Sequence, residues 1–144
     1  DQGVIVIWVA RHYWNRELSY FGYGGKGKPV RDILHVYDLF KLIEFQIHNM
    51  KSLNGKLFNV GGGAEVSVSL KELTDLCQKI TGNKVKITEI IEERQADIRI
   101  YITDNTLVKG VTGWQPATTV EEIIHDVYQW IKENDHLLKP ILVG

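Results

Sequence analysis

The amino-acid sequence predicts an α/β fold, and three observations carry that reading. Apolar residues recur at helical spacing in several stretches. Short runs rich in β-branched and aromatic residues fall between them. Glycines, an Asn-Gly pair and Ser/Thr capping residues mark the joints. Helices that alternate with short strands are the pattern of an α/β protein.

Each element follows from its own residues. Residues 4–14 read as a helix that is apolar on more than one face and therefore buried. Residues 18–21 read as a strand, residues 22–27 as a mobile loop and residues 30–36 as extended chain. Asp38 can cap a helix in which Leu39, Phe40, Ile43, Ile47 and Met50 recur at helical spacing. Asn54-Gly55 is a turn, and residues 57–60 form a short buried strand ended by Gly61-Gly62-Gly63. Ser69 and Glu72 make a capping box, since each side chain can satisfy the other residue's orphan backbone N–H. The helix they open carries Leu70, Leu73, Cys77 and Ile80 on one face and stops at Gly82. Residues 85–90 and 98–103 are strands. Asp104 caps a short helix that ends near Gly113. Thr119 with Glu122 is a second capping box, and Val120, Ile123, Ile124, Val127 and Ile131 form the stripe of the last helix.

Composition narrows the function classes. A chain of 144 residues, 44% hydrophobic and 24% charged, is large enough for a real core. Its net charge of -1 provides no basic field for nucleic acid or an anionic membrane, so neither is expected as a partner. The single cysteine, Cys77, cannot form an intrachain disulfide, which fits a cytoplasmic protein. The longest apolar run, residues 4–10, is too short to cross a bilayer. Asp1-Gln2-Gly3 leads straight into that run, as the interior of a longer protein would. No repeat or linker marks a boundary within the chain.

Most candidate motifs have a structural explanation. Gly22-Tyr23-Gly24-Gly25-Lys26-Gly27 spells G-x-G-x-x-G, but that fingerprint holds a pyrophosphate only where it opens a helix. Here Lys28-Pro29 and another extended segment follow, so no cofactor site is expected. His12, His35, His48, His125 and His136 have no metal-ligand spacing, and no metal is expected. His35 and Cys77 read as structural, and Trp8, Trp14, Trp114 and Trp130 as core. Tyr128 and Lys132 have a Tyr-x-x-x-Lys spacing, but on the last helix. Two stretches are different: Lys28-Pro29-Val30-Arg31-Asp32, and Glu92-Glu93-Arg94-Gln95-Ala96-Asp97 followed by Tyr101. Arginine forks match phosphate oxygens, and an aspartate accepts from sugar hydroxyls.

These stretches fall in an ordered set. Arg31-Asp32-Ile33-Leu34-His35-Val36-Tyr37-Asp38 is followed by Phe58-Asn59-Val60-Gly61-Gly62-Gly63, then Arg94-Gln95-Ala96-Asp97, then Gly113-Trp114-Gln115-Pro116. The set resembles the C-terminal part of the extended short-chain dehydrogenase/reductases, the nucleotide-sugar epimerases and dehydratases. Asp1-Gln2-Gly3, the 22–27 loop and Ser67-Val68-Ser69-Leu70 are most similar to members that epimerise CDP-sugars. Ala96 departs from the glycine usual at its place.

The resemblance implies a partial Rossmann-type fold. Residues 1–63 would include segments that pack on an upstream Rossmann domain of the same protein, and residues 64–144 would form a small α/β domain. It implies a nucleotide-sugar partner, a homo-oligomer, and NAD as cofactor of the whole enzyme but not of this chain. Ser19 and Phe21 would face the nucleotide base, Arg31 and Arg94 would hold the pyrophosphate, Asp97 would meet the ribose and Tyr101 the sugar. The catalytic Tyr-x-x-x-Lys pair and the cofactor turn are expected upstream of Asp1, so no catalytic residue is expected here. In the whole enzyme the tyrosine would take a proton from a sugar hydroxyl as hydride passes to NAD, and hydride would return to the other face of the keto-sugar. The alternatives are a nucleotide-sugar dehydratase or another epimerase of the same family, or a stand-alone non-catalytic α/β binding module; a dinucleotide fold encoded upstream would distinguish the enzyme from the module.

Overall fold

The computed structural model describes residues 3–93 and 97–142. It is α/β, as the pattern requires. The chain forms two compact units, each assembled from separated stretches: residues 1–29, 69–99 and 121–144 in the first, and residues 30–68 and 100–120 in the second.

In the first unit, α1 (Val4–Tyr13) buries Trp8, Val9, Ala10 and His12. Its N-terminal end is less covered than the apolar run suggests, since Val4 is exposed. Strand β1 (Leu18–Phe21) pairs in parallel with β4 (Ile87–Ile90), Ser19 opposite Thr88 and Phe21 opposite Ile90. Helix α4 (Leu70–Thr81) begins with the expected capping box and ends at Gly82, whose φ of 75° is the left-handed geometry glycine tolerates. Leu73 and Cys77 lie in the core, and burial pushes the Cys77 thiol up to about 12, so it is an inert packing group. The Trp8 indole and the Tyr20 hydroxyl both donate to Thr74 Oγ1, at 3.0 and 2.7 Å. The stripe of α6 (Val120–Glu133) buries Ile123, Ile124 and Ile131. Trp130 on that helix is 48% exposed and is not a core residue: it lies off the stripe, beside rather than under it. A final helix, α7 (Asp135–Leu142), contains Pro140 and was not foreseen.

The 22–27 loop is packed rather than loose. It contains a short 3-10 turn, Tyr23–Gly25, and buries Gly25 and Gly27. A Cβ on Gly27 would meet the Tyr20 ring at 2.9 Å and the Lys71 nitrogen at 3.0 Å, while the Lys71 amide donates to the Gly27 carbonyl. Close approach and positive φ together require glycine there.

The second unit holds a three-stranded sheet in the order β3 (Ser67–Ser69), β2 (Val30–Asp32), β5 (Ile100–Tyr101), with β2 and β5 parallel. Helix α2 (Val36–His48) is followed by the short α3 (Met50–Leu53). Two expectations fail here. Asp38 is not the cap of α2: His35 is, its ring accepting from the Tyr37 amide, so the helix starts earlier than expected. Residues 57–60 are not a buried strand. No other strand pairs with them among the described residues, and Leu57 is 88% exposed. A strand needs a neighbour to take up its backbone groups, and β-branched composition alone does not supply one. Helix α5 (Thr106–Thr112) ends at Gly113; hydrogen bonds from the Thr106 hydroxyl and from its amide, the latter at 2.8 Å, hold the Asp104 carboxyl below the usual range. Among the described residues no helix is long and apolar enough to cross a membrane.

Candidate functional site

Strand periodicity places the first residues. Leu18 and Tyr20 point into the first unit, so Ser19 and Phe21 share the opposite, more open face of β1. Past the end of β1, the Tyr23 hydroxyl donates to the Asp97 carbonyl at 2.6 Å, and the Arg99 guanidinium lies 4.6 Å from the Tyr23 ring centre. Ser19, Phe21 and Asp97 therefore belong to one unit. Arg94 lies outside the described residues, as do Gln95 and Ala96.

In the second unit, Arg31 on β2 sits directly opposite Tyr101 on β5. Arg31 is half-buried and its Nη1 donates to the Val30 carbonyl at 2.8 Å, while Tyr101 is exposed. The rest of the R-D-x-x-H-V-x-D run builds the corner that carries Arg31. Asp32 accepts from the Gly63 amide at 3.0 Å. His35 caps α2. Asp38 is buried and its Oδ2 accepts from the amides of Ala117 and Thr118, at 3.2 and 3.0 Å. The Trp114 indole, from the G-W-x-P turn, donates to the Asp38 carbonyl at 2.9 Å. Two motifs far apart in sequence are thus bonded to each other.

Asn105 does what a neighbouring strand would do for Gly61. Its Oδ1 accepts from the Gly61 amide at 3.1 Å and its Nδ2 donates to the Gly61 carbonyl at 2.8 Å. An added Cβ on Gly61 would collide with Thr103 and with the Asp32 carboxylate, which accounts for glycine in this turn. The same unit has an open cavity of about 510 Å³, lined among others by Gly63, Glu65, Asn105, Lys109 and Pro116. Of the residues predicted for substrate binding, none of the described ones (Ser19, Phe21, Arg31, Asp97 and Tyr101) lines it.

Sequence reasoning missed Tyr23, Arg99 and Asn105. Tyr23 left one signal, a bulky residue inside a run of glycines. Asn105 left none, because its partner is 44 residues away.

The glycine run does not fit the pyrophosphate of a dinucleotide. The G-x-G-x-x-G run opens a 3-10 turn and then β2, so no helix N-terminus stands behind it. Tyr128 packs edge-on against Tyr13, with ring centres 5.8 Å apart, while Lys132 is solvent-exposed. Among the described residues no three His, Cys, Asp or Glu are grouped to hold a metal.

No family model matches the chain. Individual proteins do. The CDP-paratose 2-epimerase of Salmonella typhi is 29% identical over 110 residues, which is 76% of this chain and 32% of that protein. The UDP-glucuronate 4-epimerase of Thermodesulfobacterium geofontis is 28% identical over 138 residues, 96% of this chain and 39% of that protein. The solved UDP-glucose 4-epimerase of Thermotoga maritima, with UDP-glucose, superposes with a TM-score of 0.76 at 26% identity, over 92% of this chain and 40% of that one. In sequence and fold the chain is similar to the C-terminal part of extended short-chain dehydrogenase/reductases of the nucleotide-sugar epimerase class. Among individual proteins, the chain is similar both to the CDP-paratose 2-epimerase and to UDP-sugar 4-epimerases, and spans well under half the length of each.

Proposed function

We propose that this chain is the nucleotide-sugar-binding part of an NAD-dependent epimerase, with a CDP-sugar as substrate, as in CDP-tyvelose (CDP-paratose) epimerase. The observation that carries the reading is the corner built by the R-D-x-x-H-V-x-D run. Asp32, His35 and Asp38 are spent on backbone groups, and their bonds hold β2 and α2 so that Arg31 is presented opposite Tyr101. A guanidinium on such a scaffold suits the paired oxygens of a diphosphate. The Ser19 and Phe21 face of β1 suits a planar base, Asp97 a ribose, Tyr101 the sugar, and Arg94 the second pyrophosphate contact. Similarity to the CDP-paratose 2-epimerase favours cytosine as the base.

An epimerase must keep a neutral keto-sugar bound while it turns. The grip therefore has to be on the nucleotide, whose remote binding energy holds the reacting carbon in place. The upstream Rossmann domain would supply the cofactor and the chemistry, while this chain supplies the anchor.

Calorimetry with CDP and UDP tests the proposal. CDP is expected to bind more tightly than UDP. Arg31→Ala and Arg94→Ala are each expected to weaken CDP by about 2 to 4 kcal/mol, the cost of removing a charge-assisted contact from a partly desolvated phosphate. Affinities unchanged in both variants would sink this assignment of the site.

A further inference from the structure

Tyr23 has no role in the resemblance, yet its conformation needs a cause. It lies at φ +47°, between glycines that also have positive φ. A bulky side chain is disfavoured in that region and persists only where its contacts outweigh the strain. Those contacts are specific. The hydroxyl donates to the Asp97 carbonyl at 2.6 Å, and the Arg99 guanidinium covers the ring at 4.6 Å. Arg99 in turn reaches Glu93 at 3.8 Å. Gly22 runs against the same stretch, since a Cβ there would come within 3.6 Å of the Glu93 Cα. The Gly22 amide also donates to the Ile90 carbonyl at the end of β4. One loop side chain is thus gripped at its ring by Arg99 and at its hydroxyl by the backbone of Asp97.

We propose that Tyr23 is a positioning residue for nucleotide binding. It ties the backbone of Asp97 to the end of β1, so that the Asp97 carboxylate and the Ser19/Phe21 face are held at a set spacing before the ligand arrives. The inference rests on the proposed function, which puts Asp97 on the ribose and β1 along the base. A pre-set spacing raises affinity because the ligand does not have to order the segment as it binds. It also explains why a tyrosine occupies a position where glycine would be unstrained.

The test compares the wild-type chain with Tyr23→Phe and Tyr23→Gly. Tyr23→Phe removes only the hydroxyl. Tyr23→Gly removes the grip altogether and relieves the strain. The Ile98 amide shares its peptide group with the Asp97 carbonyl, so its NMR shift reports the clamp without any ligand. That shift is expected to move in Tyr23→Phe. CDP affinity is expected to fall about fivefold in Tyr23→Phe, as for one lost neutral hydrogen bond, and about tenfold or more in Tyr23→Gly. Pyrophosphate, which has neither ribose nor base, is expected to bind all three proteins equally. An unmoved Ile98 shift, wild-type CDP affinity in both variants, or equal weakening of CDP and pyrophosphate would each overturn the positioning role. A wild-type chain that shows no preference for CDP over pyrophosphate would instead overturn the underlying reading of Asp97 and β1. Tyr23→Phe carries the test on its own should Tyr23→Gly not fold.

Discussion

Asp38 is the residue on which the second unit's corner depends. Its buried carboxylate accepts from two backbone amides, and it sits in the first turn of α2, where the helix dipole favours a negative charge. Asp38→Ala is expected to cost about 1 to 3 kcal/mol in urea unfolding, because it removes two charge-assisted bonds to partly buried backbone amides. Ordinary stability in that variant would show that the corner holds without it. His12 provides a second test. It is fully buried, its Nδ1 lies 2.7 Å from the Trp8 carbonyl, and its Nε2 has no partner among the described residues. Desolvation lowers its pKa below the ordinary histidine value of 6.5. The sign follows from linkage. Above 6.5 the histidine is neutral in both folded and unfolded chains. Below it the unfolded chain takes up a proton that the folded one refuses, so stability falls with pH until the folded pKa is passed. The urea midpoint is expected to drop between pH 7 and pH 5, and the drop should be smaller in His12→Leu. An equal drop in both proteins would assign the effect to other groups. Neither role was visible in sequence. Asp38 looks like a helix cap and His12 like one residue of an apolar run, because the partners of the first lie some 80 residues away.

At the level of elements, local chemistry was legible wherever the partners are neighbours in sequence. The Ser69–Glu72 box is formed as expected, and Ser69's hydrogen bonds hold the Glu72 carboxyl below the usual range. The contribution of that carboxylate is present above the ordinary glutamate pKa and lost as pH falls through the lowered one. The glycine loop was legible only in part. Its spacing was plain, and so was the absence of a following helix, but its packing against Tyr20 and Lys71 was not. Gly27→Ala is expected to destabilise the chain by about 1 to 3 kcal/mol, since it combines an unfavourable φ with a close contact to backbone. Circular dichroism in urea checks this, and a neutral result would mean that the loop can move away from α4. Helix α2 shows the opposite limit. Leu42 is 1% exposed, whereas Phe40, Ile43 and Ile47 on the same helix face outward. Its apolar circumference was readable, but the chain covers only one side of it.

The whole molecule inherits that uncovered surface. Val36, Phe40, Ile47, Met50 and Leu57 are all exposed, and patches of that kind are seldom left in water. Under the proposed function, they would pack on a Rossmann domain upstream in the whole enzyme. In the chain by itself they are expected to drive self-association, seen as a concentration-dependent mass in light scattering and reduced in a Phe40→Glu, Ile47→Lys double variant. A monomer at every dilution would show that the surface is tolerated. The same chain is not expected to bind NAD by calorimetry, and micromolar binding would contradict the argument that a glycine run without its helix makes no dinucleotide site. By itself, the sequence determined the α/β class, the bounds of β1, the caps and stops of α4, the stripe of α6 and the ordered motifs on which the resemblance to the epimerases rests. All of these rest on interactions within a few residues, or on side-chain patterns that repeat along the chain. Only the tertiary structure decided that the chain passes back and forth between two units, that residues 57–60 have no strand beside them, that Asp38 and the Gly-Trp-x-Pro turn hold each other, and that Tyr23 grips Asp97. Each of these depends on which distant backbone group fills a given hydrogen bond, and spacing along the sequence carries no record of that choice.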